Sequence, residues 1–239
     1  MNSPINPIFL LADSQLLFWQ RDGIPFLDTV RALVQNTRPQ AAYIGASNGD
    51  NPDYYSIFEA AMETIGVKDC RMIPSALSPD DASFVDQADI ILLAGGDVQR
   101  GWSSFESNGL NQTLMRRYYE GAVLMGVSAG AVQLGLCGWA EDEISPDKLF
   151  DTFRLVPYII SAHDEKNEWE TLKCVVRLKG ENARGIGLPT GGGIIYHADG
   201  SIEPVRYPAY EVSLSNENIE SFLLFTPTIT EDNEELPVF

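Results

Sequence analysis

The feature that most limits what this chain can fold into is a set of short apolar runs with no polar residue alternating through them. Ile8-Phe9-Leu10-Leu11, Ala41 to Gly45, Ile90-Ile91-Leu92-Leu93 and Ala122 to Met125 each read as strand, with Cys70 to Ile73 as a shorter one. A strand wetted on one face alternates apolar with polar, whereas an unbroken apolar run is covered on both faces. Between the runs lie stretches with apolar residues at helical spacing: Ile24 to Val34, Asp53 to Ile65 behind Pro52, and Leu110 to Tyr119. Strands and helices in alternation predict an α/β fold, a doubly wound and mostly parallel sheet flanked by helices. Ile194-Ile195-Tyr196, the Asp199-Gly200 turn and Ile202 to Val205 then read as a hairpin added to that sheet. No linker-like composition divides residues 1–239, so one domain is expected, with the acidic segment after Thr226 as a solvated end.

Length and charge narrow the function classes. A chain of 239 residues is ample for a buried core. With 34 acidic against 16 basic side chains and a formal charge of -18, a nucleic-acid partner is not expected, because phosphate neutralisation needs clustered Lys and Arg. No run approaches the roughly 20 apolar residues of a membrane span. Met1 to Pro7 has no basic residue and no signal-peptide pattern, so a cytoplasmic location is expected. Cys70, Cys137 and Cys174 form neither a disulfide framework nor metal-ligand spacing, and two histidines make no ligand set. No phosphate-cradling Gly-x-x-x-x-Gly-Lys loop occurs. No metal and no cofactor are expected.

The chemistry-bearing segment is Ala122-Val123-Leu124-Met125-Gly126-Val127-Ser128-Ala129-Gly130-Ala131. A buried strand runs into Gly-Val-Ser-Ala-Gly and a small-residue helix start follows, which is the context of a nucleophile elbow. Such a turn holds the hydroxyl clear of the backbone, and the helix start points N–H groups at developing negative charge. Ser128 is therefore the candidate nucleophile. His163, just beyond the apolar run Leu155 to Ala162, is the candidate base, expected at the carboxyl edge of the same parallel sheet as Ser128. His197, beside a hairpin turn, is the weaker candidate. An acid to orient the imidazole is sought in Glu141-Asp142-Glu143, between Ser128 and His163. Gly95-Gly96-Asp97 ends a strong strand, where an N–H could complete an oxyanion hole with that of Ala129. Asp97 and Gln99 beside it are candidates for contact with substrate.

Four segments in order resemble the peptidase E and cyanophycinase group of serine peptidases: Gly95-Gly96-Asp97, Gly126-Val127-Ser128-Ala129-Gly130-Ala131, Leu155-Val156-Pro157 through His163, and Gly185-Ile186-Gly187-Leu188. The resemblance covers most of Ile90 to Val205. It implies a flavodoxin-like sheet related to class I glutamine amidotransferases, with Ser in place of their nucleophilic Cys. It further implies Ser128 as nucleophile, His163 as base, and the N–H groups of Gly96 and Ala129 as oxyanion hole. The chain departs from cyanophycinases at Pro189 and Thr190, where those enzymes carry acids, and in having only Lys166 as a basic residue just after the histidine. Peptidase E takes its acid from the loop after the nucleophile, and the same interval here falls on Glu143 with Asp142 beside it. Basic groups for an acidic substrate would come from Arg100, Arg154 or Lys166.

Three functions follow as alternatives. The first is a serine hydrolase cleaving an amide in a short peptide or peptide-like metabolite, acting as a monomer or homodimer. The second is a repurposed family member that binds a small ligand. The third is an α/β-hydrolase-type esterase, for which only His197 could supply the base.

Overall fold

The computed structural model of the chain describes residues 5–140 and 144–227. Strands β1 (Ile8–Leu11), β2 (Gln40–Ile44), β3 (Asp69–Ile73), β4 (Ile90–Leu93) and β5 (Val123–Val127) fall where the apolar runs predict them. Helices α1 (Leu27–Leu33), α2 (Pro52–Thr64), α3 (Pro79–Val85), α4 (Val98–Asn108), α5 (Leu110–Tyr119) and α6 (Ala129–Leu134) are interleaved with them. The start of the stretch Ile24 to Val34 is not helical. Ile24–Pro25 pairs with Gln20–Arg21 across a turn at Gly23, whose φ is 81°. Helix α1 begins only after that hairpin.

Farther along come β6 (Cys137–Trp139), β7 (Leu149–Asp151), β8 (Ile159–Ala162), helix α7 (Glu170–Lys179), β9 (Arg184–Leu188), β10 (Gly193–Tyr196), β11 (Ile202–Val205), β12 (Ala209–Ser215) and β13 (Asn218–Leu224). The main sheet has seven strands in the order β11-β10-β1-β5-β4-β2-β3. Its five strands from β1 to β3 are parallel to one another, and the β10–β11 hairpin adds antiparallel at the β1 edge. The mostly parallel, helix-flanked sheet expected from the sequence is the fold.

Alternate residues of the same strands fill two cores. Ile8, Leu10, Ala42, Ile44, Ile91, Leu93 and Leu124 pack against helices α3 to α6, while Phe9, Leu11, Tyr43, Leu92, Val123 and Met125 pack against α1 and α2. Burial of both faces is what removes polar alternation from these strands. Among the described residues no helix is long and apolar enough to cross a membrane.

A second sheet, absent from the sequence reading, has the order β8-β9-β12-β13. Strand β8, which leads to His163, belongs to this sheet and not to the main one, so the expected placement of His163 on the main sheet is corrected. Its Ile160, with Ile186 and Leu188 of β9, joins the core that also holds Leu93 and Ala131. A third cluster joins Val132 of α6 to Ile159, Trp169 and Leu172. Helix α6 therefore lies between the sheets, and its N-terminus is where they meet.

Candidate active site

Ser128 sits between β5 and α6 with φ 50° and ψ −108°, a positive-φ conformation that costs a side-chain-bearing residue about 1–3 kcal/mol. Two features of the sequence impose it. Leu11 O accepts the Ser128 N–H at 2.8 Å, anchoring the turn to the end of β1. Gly130 lies so close to β4 that a Cβ there would be 2.1 Å from Leu93 O. The helix can leave the strand this steeply only because that residue has no side chain. The turn thus lifts the Ser128 hydroxyl out of the sheet edge.

His163 is reached from the other sheet. It follows β8, has φ 48°, and donates its backbone N–H to Leu188 O, the last residue of β9, at 3.0 Å. Its Nε2 lies 2.8 Å from Ser128 Oγ. That contact is of the length needed for a base to take the hydroxyl proton. The turn behind it is tied down: Asp164 accepts from Asn167 Nδ2 at 3.0 Å and from the Thr171 N–H at 3.2 Å, while Trp169 N donates to Asp164 O. Trp169 is buried and stacked on Tyr210, with ring centroids 5.7 Å apart.

Ser128 and His163 both line a cavity of about 490 Å³. Asp13, Tyr43, Asn48, Tyr54, Phe58 and Arg100 are also on its wall. Asp13 accepts the N–H groups of Gln15 and Gly191, at 2.8 and 2.7 Å, which joins the loop after β1 to the loop after β9. Burial pushes the Tyr43 phenol above its ordinary pKa, only partly opposed by the bond from Asn48 Nδ2 at 2.7 Å, so it stays neutral. Arg100 Nε donates to Ser47 O at 3.1 Å, as does its Nη2.

Gly96 also lines the cavity, with φ 128°, and a Cβ there would be 2.2 Å from Ser47 O. No residue but glycine fits. Among the described residues, neither the Gly96 nor the Ala129 N–H donates to another backbone group.

A model of peptidase family S51 matches residues 8–203. The chain belongs to that family. The uncharacterized peptidase YgaJ of Bacillus subtilis (strain 168) is 31% identical over 101 residues, which are 40% of this chain and 42% of that protein. The chain therefore aligns with less than half the length of that curated relative. Among solved structures, a peptidase from an acI-B1 Actinobacterium is similar at a TM-score of 0.68 and 16% identity, over 92% of this chain and 97% of that one. A putative peptidase E protein from Listeria monocytogenes EGD-e is similar at 0.63 and 14%, over 85% and 99%. At such identities the two structures establish the fold.

Within this S51 chain the predicted residues are distributed unevenly around the site. Ser128, His163 and Gly96 come together on one cavity. Asp97 and Gln99 are not on its wall: the Asp97 carboxylate caps α4 by accepting the Arg100 N–H at 2.7 Å, and Gln99 is exposed on the first turn of that helix. Asp142 and Glu143 lie outside the described residues. His197 follows Tyr196, which pairs with Ile8 at the start of β1, whereas Ser128 follows Val127, which pairs with Leu11 at its end. The two are at opposite edges of the sheet, and His197 instead meets Glu203 at 3.1 Å. The esterase arrangement is thus not assembled. Of the basic candidates, Arg100 reaches the cavity, while Arg154 is exposed beside Asp151 and Lys166 is exposed on its turn. Asp13, Tyr43, Asn48 and Tyr54 were missed because no motif marks them. Among the described residues no cluster of His, Cys, Asp and Glu could hold a metal ion.

Proposed function

We propose that the protein is a serine peptidase acting on short peptides through an acyl-enzyme on Ser128. The observation that carries this reading is the 2.8 Å contact between Ser128 Oγ and His163 Nε2 at a strained strand-to-helix turn, opening on a cavity. In the first half-reaction His163 Nε2 takes the hydroxyl proton as Oγ attacks the scissile carbonyl carbon. The C–N bond then breaks, and His163 returns the proton to the departing amine. In the second, His163 deprotonates a water that attacks the acyl carbonyl and releases Ser128. The Gly96 and Ala129 N–H groups are assigned to the carbonyl oxygen as it becomes negative.

The cavity supports a small substrate, since about 490 Å³ is within the range of small-molecule sites and too little for a folded chain. Arg100 is the only Arg or Lys on the described wall and Asp13 the only carboxylate. A peptide with both a free amine and a carboxylate suits that pair. The test is mass spectrometry of the intact protein after reaction with a fluorophosphonate. One adduct is expected on the native protein, none on Ser128→Ala, and labelling of His163→Ala slowed by roughly 10²–10⁴-fold. Absence of an adduct on the folded native protein, with short peptides also left uncut, would turn the reading towards a ligand-binding member of the family.

A further inference from the structure

A histidine that shuttles a proton needs a nearby carboxylate to stabilise the imidazolium, and the described residues contain a carboxylate suited to it that neither motif nor family spacing indicates. Glu165 lies two positions after His163, on the short turn Glu165–Asn167. Its Oε1 accepts the Thr190 N–H at 3.3 Å. His163 is anchored to Leu188 O, so the end of β9 holds both residues within a step of two residues. Glu165 Oε2 is buried and has no hydrogen-bond partner among the described residues. A carboxylate oxygen taken out of water with nothing to bond costs free energy unless a positive charge compensates it.

The neighbouring charges are otherwise engaged. Asp164, on the same turn, spends both carboxylate oxygens on Asn167 and Thr171. From the loop after β1, Asp13 bonds Gln15 and Gly191. Across the cavity, Arg100 bonds Ser47 O, and Tyr43 and Tyr54 are the remaining titratable groups. Lys166 is exposed. Burial raises the Glu165 pKa, but bonds from Thr190 and the charge of His163 outweigh it, and the carboxyl sits below the usual range.

We propose that Glu165 is the positioning residue of the site, stabilising the His163 imidazolium by its charge from a seat on Thr190, in the role that the sequence reading gave to Asp142 or Glu143. The proposal rests on the peptidase reading of Ser128 and His163. Pro189 and Thr190 bring no carboxylate to that strand end, and Glu165 supplies one from the adjacent turn.

The protein has two histidines, so their imidazole resonances can be followed separately by NMR titration, with His197 as an internal control beside Glu203. Glu165→Gln is expected to lower the His163 midpoint by about one unit and leave His197 in place. Fluorophosphonate labelling at pH 8 should slow about tenfold. Glu165→Asp should restore part of both, and it decides the matter if the Gln variant loses its His197 signature through misfolding. An unchanged His163 midpoint in the folded variant would overturn the proposal. So would a loss of the same size found only in an Asp142→Asn, Glu143→Gln double variant. If the native protein fails to label, the peptidase reading falls, yet the titration still judges Glu165.

Discussion

The main sheet reaches Ser128 through glycines pressed against backbone, and the second sheet reaches His163 through glycines pressed against side chains. At Gly130 the obstacle to a Cβ is the Leu93 carbonyl, at 2.1 Å; at Gly187 of β9 it is the Trp169 indole, at 2.5 Å. A sheet backbone cannot step aside without breaking its ladder, whereas an indole can tilt. The nucleophile is consequently held by geometry that does not yield, and the base by packing that does. The 2.8 Å contact between them depends on the softer partner keeping its place.

This contrast can be attacked from the hard side first. Gly130→Ala is expected to cost about 3 kcal/mol or more in chemical denaturation, because neither α6 nor β4 can move apart alone. If it cost under 1 kcal/mol, the claim of an unyielding turn would fail. Gly187→Ala should cost about 1–2 kcal/mol, since the Trp169 ring can shift. Its effect on fluorophosphonate labelling should nevertheless be disproportionate, a fall of tenfold or more in a protein that still melts cooperatively. Proportionate losses of stability and labelling would show that the two regions are equally stiff.

A smaller effect comes from pH. The Glu165 carboxyl is held below its ordinary pKa, so the unfolded chain takes up the proton before the native protein does. Its contribution to stability is present above the unfolded carboxyl pKa and is lost as pH falls through the folded value. The melting temperatures of the native protein and Glu165→Gln should therefore differ at pH 7 and converge on acidification; a gap that widens would reverse the sign. The smallest change is expected at Phe222 on β13, which is 55% exposed. Phe222→Ser should stay within about 0.5 kcal/mol of the native protein, as measured by denaturation midpoint.

The same contrast explains what could be read from the amino-acid order. The nucleophile turn is encoded locally: an apolar strand, two small residues around Ser128 and Gly130 lie within ten consecutive positions, and their physics involves few other contacts. His163 was legible as a residue after an apolar run, but its sheet was not. Ile159 to Ala162 looks like any buried strand, and only its pairing with Arg184–Leu188 assigns it to the second sheet. Strands β12 and β13 escaped notice for a related reason, since β13 is mostly exposed and shows no core-facing run. The rest of the cavity wall was illegible. Asp13, Tyr43, Asn48 and Tyr54 come from separate loops, a strand and a helix, and what unites them is tertiary proximity rather than spacing. Asp97, placed after two glycines, suits a ligand contact and a helix cap equally well, and its carboxylate caps α4.

Buried Ser47 has a practical consequence for anyone wishing to retarget this pocket. Its carbonyl receives the Asp97 N–H and the Arg100 guanidinium and sits against Gly96, while its hydroxyl receives Gln133 Nε2, which also reaches Val98 O at 3.0 Å. Two other segments of chain, residues 96–100 and the part of α6 that carries Gln133, converge on one small residue. A mutant library that randomises Arg100 alone would sample side chains against a fixed rim and recover mostly weakened versions of the parent. Selectivity should shift only when positions 47, 100 and 133 are varied together, as one inherited block.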